Sequence, residues 1–244
     1  MGKKGYSNKT EYEKVLEFNV LVSWLHSYRY KNIIEVFDGL AKVVDERPIK
    51  VLDLGCAHAK LFGLLNKKFS IEYIGIEIIG TFVDTARERY SSFPNFSVIQ
   101  GSAIELVEEI GAPDIIVALE MLEHIPEHDV VRLVEHISKV RPRLFVCSVP
   151  VELGPAIWLK NIGSLLTGYM RHREYRWSET FWAGLYQLHK LPAHGTGHKG
   201  FDWRWLAQTI RYKMVISEIR TFPFRFLPAA LSTSVFMIAK GRER

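Results

Sequence analysis

The stretch VLDLGCAHAK, residues 51–60, decides the fold. Its first four positions read as a buried strand, and Gly55 turns the chain out of that strand into a loop. KLFGLLNKKF then carries apolar residues at helical intervals. Strand, glycine, loop and helix in that order open a parallel α/β unit. In open sheets of this kind ligands bind beyond the carboxyl ends of the strands, so the loop at Gly55 is the first candidate site. Alanines stand at positions 57 and 59, where small residues are wanted. The question is whether a loop this poor in glycine still admits a ligand.

The same rhythm continues downstream. IEYIGIEI reads as a strand and GTFVDTARERYSSF as an amphipathic helix. FSVIQGSA and IELVEEI follow as strand and short helix, then DIIVALEM and EHDVVRLVEHISKV, and RLFVCSVPV is a fifth strand. Such alternation predicts a parallel sheet with helices on both faces and right-handed crossovers. After Pro150 the rhythm breaks. Residues 151–197 are rich in Trp, Tyr, His and Arg and read as an inserted lid. FDWRWLAQTIRY restores a helix, and VISEIRTFPF and STSVFMIAKGR read as two more strands. Upstream, residues 11–45 look helical and Pro48 closes them off. The expected organisation is a helical extension at 1–48 and a main domain at 49–244, with its lid at about 151–197.

Composition permits this. The chain has 244 residues, 48% hydrophobic and 24% charged, which suits a globular protein able to bury a core. Cys56 and Cys147 are far apart and match no metal or disulfide spacing, so a reducing, cytoplasmic location is expected. The amino terminus lacks an apolar signal core, and no run reaches the ~18 apolar residues of a membrane span. The formal charge is +5. Its excess gathers in Arg171, His172, Arg173 and Arg176 and in the tail from Lys240 to Arg244. Such a face could meet RNA, anionic lipid or a phosphorylated substrate, and a solvated surface is the simpler reading. No KH or RRM signature is present.

Glu77 ends the second strand, 22 positions after Gly55. A carboxylate there can accept hydrogen bonds from both ribose hydroxyls. That suits NAD and S-adenosylmethionine alike. The dinucleotide fingerprint G-x-G-x-x-G is not met, because G-C-A-H-A-K lacks the later glycines that a pyrophosphate needs. Asp53 would also repel a diphosphate, whereas it can orient the loop and hold the ammonium of S-adenosylmethionine. Asp53 as a simple turn cap is the plain alternative.

These residues carry a resemblance. From about Ile49 to Val149, with the C-terminal strand pair, the chain resembles the class I S-adenosylmethionine-dependent methyltransferases. Their first motif, D/E-x-G-x-G-x-G, corresponds to Asp53-Leu-Gly55-Cys56-Ala57-His-Ala59, and their ribose acid to Glu77. Their G-D-A after the third strand corresponds to Gly101-Ser102-Ala103, and their antiparallel strand pair to Val215–Phe224 and Ser232–Lys240. The resemblance implies a Rossmann-like, seven-stranded, mostly parallel sheet with an antiparallel C-terminal pair. It implies a cofactor site of Asp53, Gly55, Cys56, Ala57, Glu77, Ile78, Ser102, Ala103 and Leu119, with Ser102 and Leu119 flanking the adenine. Two departures stand out. Ala57 replaces a favoured glycine, and Ser102 replaces the acid that usually holds the adenine amino group.

ALEMLEHIPEHD follows the fourth strand. Glu120, Glu123 and His124 have i, i+3, i+4 spacing, which on one helix turn gives a shared face. Such a trio can ligate a divalent ion or place a base beside a methyl donor. E-x-x-E-H resembles the ubiquinone-pathway O-methyltransferases and the small-RNA 2′-O-methyltransferases, in both of which it is associated with a divalent metal. The RNA enzymes add a histidine before Phe-Glu-Trp. Here His198-Lys-Gly-Phe201-Asp202-Trp203 has one extra residue. The candidate metal set is Glu120, Glu123, His124 and His198, with Mg as the example ion. His124 acting as base beside Glu123, without metal, is the competing reading.

The expectation is methyl transfer from S-adenosylmethionine to a hydroxyl oxygen of a small molecule, sugar or lipid, with nucleic acid ranked below these. The lid places Trp158, Leu159, Ile162, Leu165, Leu166 and Tyr169 at helical intervals, so peripheral lipid contact is weighed against a packed cap helix. The rivals are an NAD-dependent oxidoreductase on a similar scaffold and a degenerate, non-catalytic cofactor-binding protein.

Overall fold

The computed structural model describes residues 20–44, 47–167, 176–192, 194 and 198–242. Its strands are β1 (Ile49–Leu54), β2 (Ile71–Glu77), β3 (Phe96–Gln100), β4 (Ile115–Leu119), β5 (Leu144–Pro150), β6 (Met214–Phe222) and β7 (Ser234–Gly241). They form one sheet in the order β3-β2-β1-β4-β5-β7-β6. The first five pair in parallel, and β7 runs antiparallel to both β5 and β6. The chain builds outward from β1 through β2 to β3, then returns to the other side of β1 to lay down β4 and β5. Strand order therefore reverses between β1 and β4, and the expected Rossmann-like architecture is observed.

The helices are α1 (Val20–Ala41), α2 (Lys60–Leu65), α3 (Gly80–Tyr90), α4 (Ala103–Leu106), α5 (Glu127–Val140), α6 (Pro155–Thr167), α7 (Trp177–Gly184) and α8 (Trp203–Lys213). Period-two alternation along the strands feeds two separate cores. Ile49 and Val51 of β1, with Ile115 and Val117 of β4, pack against Phe37 of α1, Phe62 of α2 and Val83 of α3. Leu52 and Leu54, with Ile116 and Ala118, pack on the opposite face against Leu133 of α5 and Leu206 of α8. Helices therefore cover both faces, as a doubly wound sheet requires.

Some expected elements are shorter. The helix expected over 11–45 is α1 within the described residues, and 11–19 lie outside them. The helix expected at IELVEEI is one turn, α4. Asp202 caps α8, its side chain accepting the Arg204 backbone N–H at 2.9 Å. At the amino ends of the strands, buried Asp114 accepts two bonds from Arg47 at 2.7 Å and the Lys50 backbone N–H at 2.9 Å, tying β1 to β4. Part of the basic tail has a structural use: Arg242 donates to the Arg211 carbonyl in the last turn of α8.

The segment expected as a lid carries a small core of its own. Leu153, Ile157, Ala183 and Leu191 are buried together, with Trp158 and Trp182 packed on them. The Trp158 indole N–H donates to the Thr180 carbonyl at 3.1 Å, and Asn161 donates to the Thr180 hydroxyl at 2.8 Å. Trp158 thus faces inward, while Leu159, Ile162, Trp177 and Phe181 are exposed. The cap-helix reading fits the inner face, and the outer face remains apolar. Leu165 and Leu166 lie where side chains are not described, and Tyr169 and residues 171–173 lie outside the described residues. Among the described residues no helix is long and apolar enough to cross a membrane.

Candidate active site

The reversal of strand order brings four chain segments together at the carboxyl ends of β1, β2, β3 and β4. The loop from Gly55 is held first by backbone. The N–H groups of Gly55 and Cys56 both donate to the Ile76 carbonyl, at 2.8 and 3.1 Å. The Glu77 side chain completes the clamp. One carboxylate oxygen accepts the Ala57 N–H at 2.9 Å and the other accepts the Ile79 N–H at 2.9 Å. Glu77 is buried, at 6% exposure, yet a carboxylate offers about four acceptor positions, so capacity remains for sugar hydroxyls.

The loop keeps the conformation of a glycine-rich turn. Gly55, Ala57 and Ala59 have φ of 68°, 46° and 50°. All three motif positions are left-handed, and two of them carry a methyl group that disfavours it. Among the described residues Ala57, Ala59, Glu120, Arg141 and Tyr186 are the non-glycine residues with positive φ. Three of the five sit at the ends of β1 and β4, where strain accompanies function. Gly55 is required for a second reason: a Cβ there would lie 2.6 Å from Met121 Cγ.

Asp53 is 4% exposed and accepts the Tyr73 hydroxyl at 2.5 Å. Burial pushes its carboxyl up to about 7; the Tyr73 bond pulls the other way, and the charge of Glu77 adds to the rise. Tyr73 is itself locked in an aromatic cluster with Phe62 and Phe96, at centroid distances of 5.3 and 5.7 Å. The plain turn-cap reading of Asp53 is thereby replaced by a carboxyl held beneath the loop. Cys56 is buried and fits against Gly75, where a Cβ would lie 2.5 Å from its sulfur. Burial pushes its thiol up, so it is no nucleophile.

The remaining expected cofactor residues stand at the same strand ends. Ile78 follows Glu77 and is 68% exposed. The Gly101 N–H donates to the Glu77 carbonyl at 3.0 Å, which seats Ser102 beside the acid. The Ser102 side chain makes no capping bond to α4. Leu119 ends β4, half-buried. Ala103 opens α4 with its side chain packed into the core.

The second cluster differs from the helical face expected. Glu120 has a φ of 53°, so the chain is not helical there; a short 3-10 turn, Leu122–His124, starts after it. Glu120 accepts the Ser148 hydroxyl at 3.1 Å. Among the described residues, the group whose ligand atoms all lie within 4.8 Å of one another is Glu123, His124 and His198, without Glu120. Glu123 is fully buried, and its nearer oxygen lies 3.9 Å from His124 Nε2. The rings of His124 and His198 meet edge to face at 5.1 Å. Burial and, next, His198 lower the pKa of His124, while the charge of Glu120 opposes this, so the imidazole is neutral at pH 7. His198 therefore joins the cluster from far along the chain despite the extra residue before Phe201. His189 is exposed.

Comparison with known proteins agrees with this geometry. Residues 51–141 match a family described as a methyltransferase domain. A small RNA 2′-O-methyltransferase of Drosophila melanogaster is 26% identical over 145 residues, which is 53% of this chain and 37% of that protein. The chain thus spans little more than a third of its curated relative. The methyltransferase domain of bacterial CtHen1-C superposes with a TM-score of 0.62 at 17% identity, covering 90% of this chain and 100% of that one. Magnesium protoporphyrin IX methyltransferase (ChlM) of Synechocystis PCC 6803, with bound SAH, superposes with a TM-score of 0.60 at 15% identity, covering 95% and 93%. Residues 51–141 thus match a methyltransferase domain, and the described fold is the one these solved methyltransferases share. The match favours the methyltransferase expectation over an oxidoreductase on a similar scaffold.

Two outcomes follow. Glycine relieves about 1–2 kcal/mol of left-handed strain and costs about 0.5–1 in chain entropy. Ala57→Gly is therefore expected to raise the thermal midpoint by a few degrees in calorimetry; a lower midpoint contradicts the strain reading. Asp53 holds its proton more tightly folded than unfolded. It favours the fold at low pH, and that contribution is lost as pH rises from about 4 through about 7. Urea titrations across that window should show Asp53→Asn gaining on the parent protein as pH rises, and parallel curves would refute the shift.

Proposed function

We propose that the chain transfers a methyl group from S-adenosylmethionine to a hydroxyl oxygen of a sugar, with the ribose of an RNA strand as the first acceptor to test. The observation that carries this is the convergence of Glu123, His124 and His198 beside the donor loop. S-adenosylmethionine supplies an electrophilic methyl group on a sulfonium, so an amine or thiolate acceptor needs little beyond alignment. A hydroxyl is a poor nucleophile until its proton is drawn away. A neutral His124 beside a buried carboxylate is suited to that, and a cation in the same cluster would serve as Lewis acid.

The donor set fits a divalent ion. One buried carboxylate and two imidazoles would hold it, and Glu120, turned to Ser148, stands outside. Imidazole-rich sets suit manganese, cobalt or zinc better than magnesium, which prefers oxygen ligands. The ion moves from the Mg of the first expectation to a transition metal of this kind. What supports RNA is the Drosophila relative, which bears that activity in its name.

A second reading rests on the exposed apolar face of the lid, Leu159, Ile162, Trp177 and Phe181, which suits a lipid or other apolar acceptor. A panel of single-stranded RNA, RNA ending in a 2′-deoxy nucleotide, free sugars, phenols and lipids, assayed with labelled donor, separates the two. Label in the terminal ribose, absent from the 2′-deoxy strand, supports the sugar reading. Label in lipid alone overturns it. Glu123→Ala and His198→Ala are expected to lower turnover at least 100-fold with donor binding intact. EDTA should match that loss and manganese restore it, and EDTA-insensitive turnover removes the metal.

A further inference from the structure

Glu152 lies two residues beyond the end of β5 and is fully buried. Its Oε1 is 3.7 Å from His198 Nδ1 and 3.3 Å from Lys160 Nζ. Lys160 also donates to the Val151 carbonyl at 2.6 Å, which fixes the ammonium against the strand end. A buried carboxylate needs a charge partner, and Lys160 provides it. Its approach to His198 is thus not required for neutrality. His198 reaches the cluster from the segment before α8. That segment is seated by fully buried Phe201 and by the Phe201 N–H donating to the His198 carbonyl at 3.2 Å. These two contacts act on the backbone of the segment, and the imidazole ring itself meets His124 edge to face at 5.1 Å.

We infer that Glu152 is a positioning residue: it accepts the Nδ1–H of His198 and so leaves the Nε2 lone pair for the cluster with Glu123 and His124. This rests on reading that cluster as a cation site. The separation is about 0.5 Å longer than a direct hydrogen bond, which a small ring rotation closes. A histidine ligand commonly gives its second ring N–H to a carboxylate, which selects the tautomer and raises the basicity of the ligating nitrogen. Lys160 holds the carboxylate in place from the other side. The lid helix α6 that bears Lys160 is thereby coupled to the cluster through one buried side chain.

The test uses ¹⁵N-histidine NMR for the His198 tautomer and manganese titration for the site, on the full chain. Melting temperature and S-adenosylhomocysteine affinity serve as fold controls. The parent protein should show His198 protonated on Nδ1. Glu152→Gln keeps an acceptor oxygen and should preserve that tautomer, with manganese affinity within about 3-fold. Glu152→Ala should lose the tautomer preference and about 10–100-fold in affinity. Should Ala destabilise the chain by stranding Lys160, the double variant Glu152→Met with Lys160→Met removes both charges at similar volume and should give the same two losses. An unchanged tautomer in the Ala or double variant overturns the inference. So does Glu152→Gln falling as far as Ala, since that marks a ligand or a charge and not a hydrogen-bond acceptor. A parent protein that binds no manganese, but whose tautomer depends on Glu152, sinks the cation reading and upholds this one.

Discussion

The site depends on one buried carboxylate. Glu77 accepts the Ala57 N–H on one oxygen and the Ile79 N–H on the other, bridging the loop after β1 to the start of α3. Charge-assisted bonds to backbone are among the stronger ones available, and here they are shielded from water. The same carboxylate faces the space left by the reversal of strand order. On the proposed reading one side chain both holds the loop and meets the ribose, which would tie the geometry of the site to its occupancy.

That clamp explains how the loop tolerates its alanines. Left-handed backbone at Ala57 and Ala59 is disfavoured, and the bonds to Glu77 and Ile76 hold it there. Asp53 lies beneath the same loop with a proton affinity raised by burial, bonded to Tyr73. A cationic ligand bound beside it would favour its ionised form, so the proposed donor binding would be linked to deprotonation of Asp53. The arrangement stores unfavourable charge and unfavourable backbone where a sulfonium nucleoside with an ammonium group can relieve the first.

The sheet was readable because period-two strands and period-3.6 helices alternate without interruption from residue 49 to 150. The motif residues were readable because Asp53, Gly55 and Glu77 fall at strand ends, where register brings them together. Three features were hidden. The role of Tyr73 needs the pairing of β1 with β2, although its two-residue step from Gly75 and Glu77 already put it on their face. Glu120 matched a helical spacing, but the chain there is strand end and left-handed turn, so the i, i+3, i+4 rule had no helix to act on. Glu152 carries no motif; only tertiary packing brings it to His198.

On the proposed reading, donor and acceptor chemistry are built on different parts of the fold. The donor loop belongs to β1 and β2. The Glu123, His124 and His198 cluster belongs to the exit of β4 and the entry to α8. The two meet where Met121 packs over Gly55. The most direct measurement is a crystal structure of the chain with S-adenosylhomocysteine. Both ribose hydroxyls should lie within hydrogen-bond distance of Glu77, with the bond to the Ala57 N–H retained. A nucleoside bound elsewhere, or a Glu77 side chain swung away from Ala57 on binding, would contradict the account.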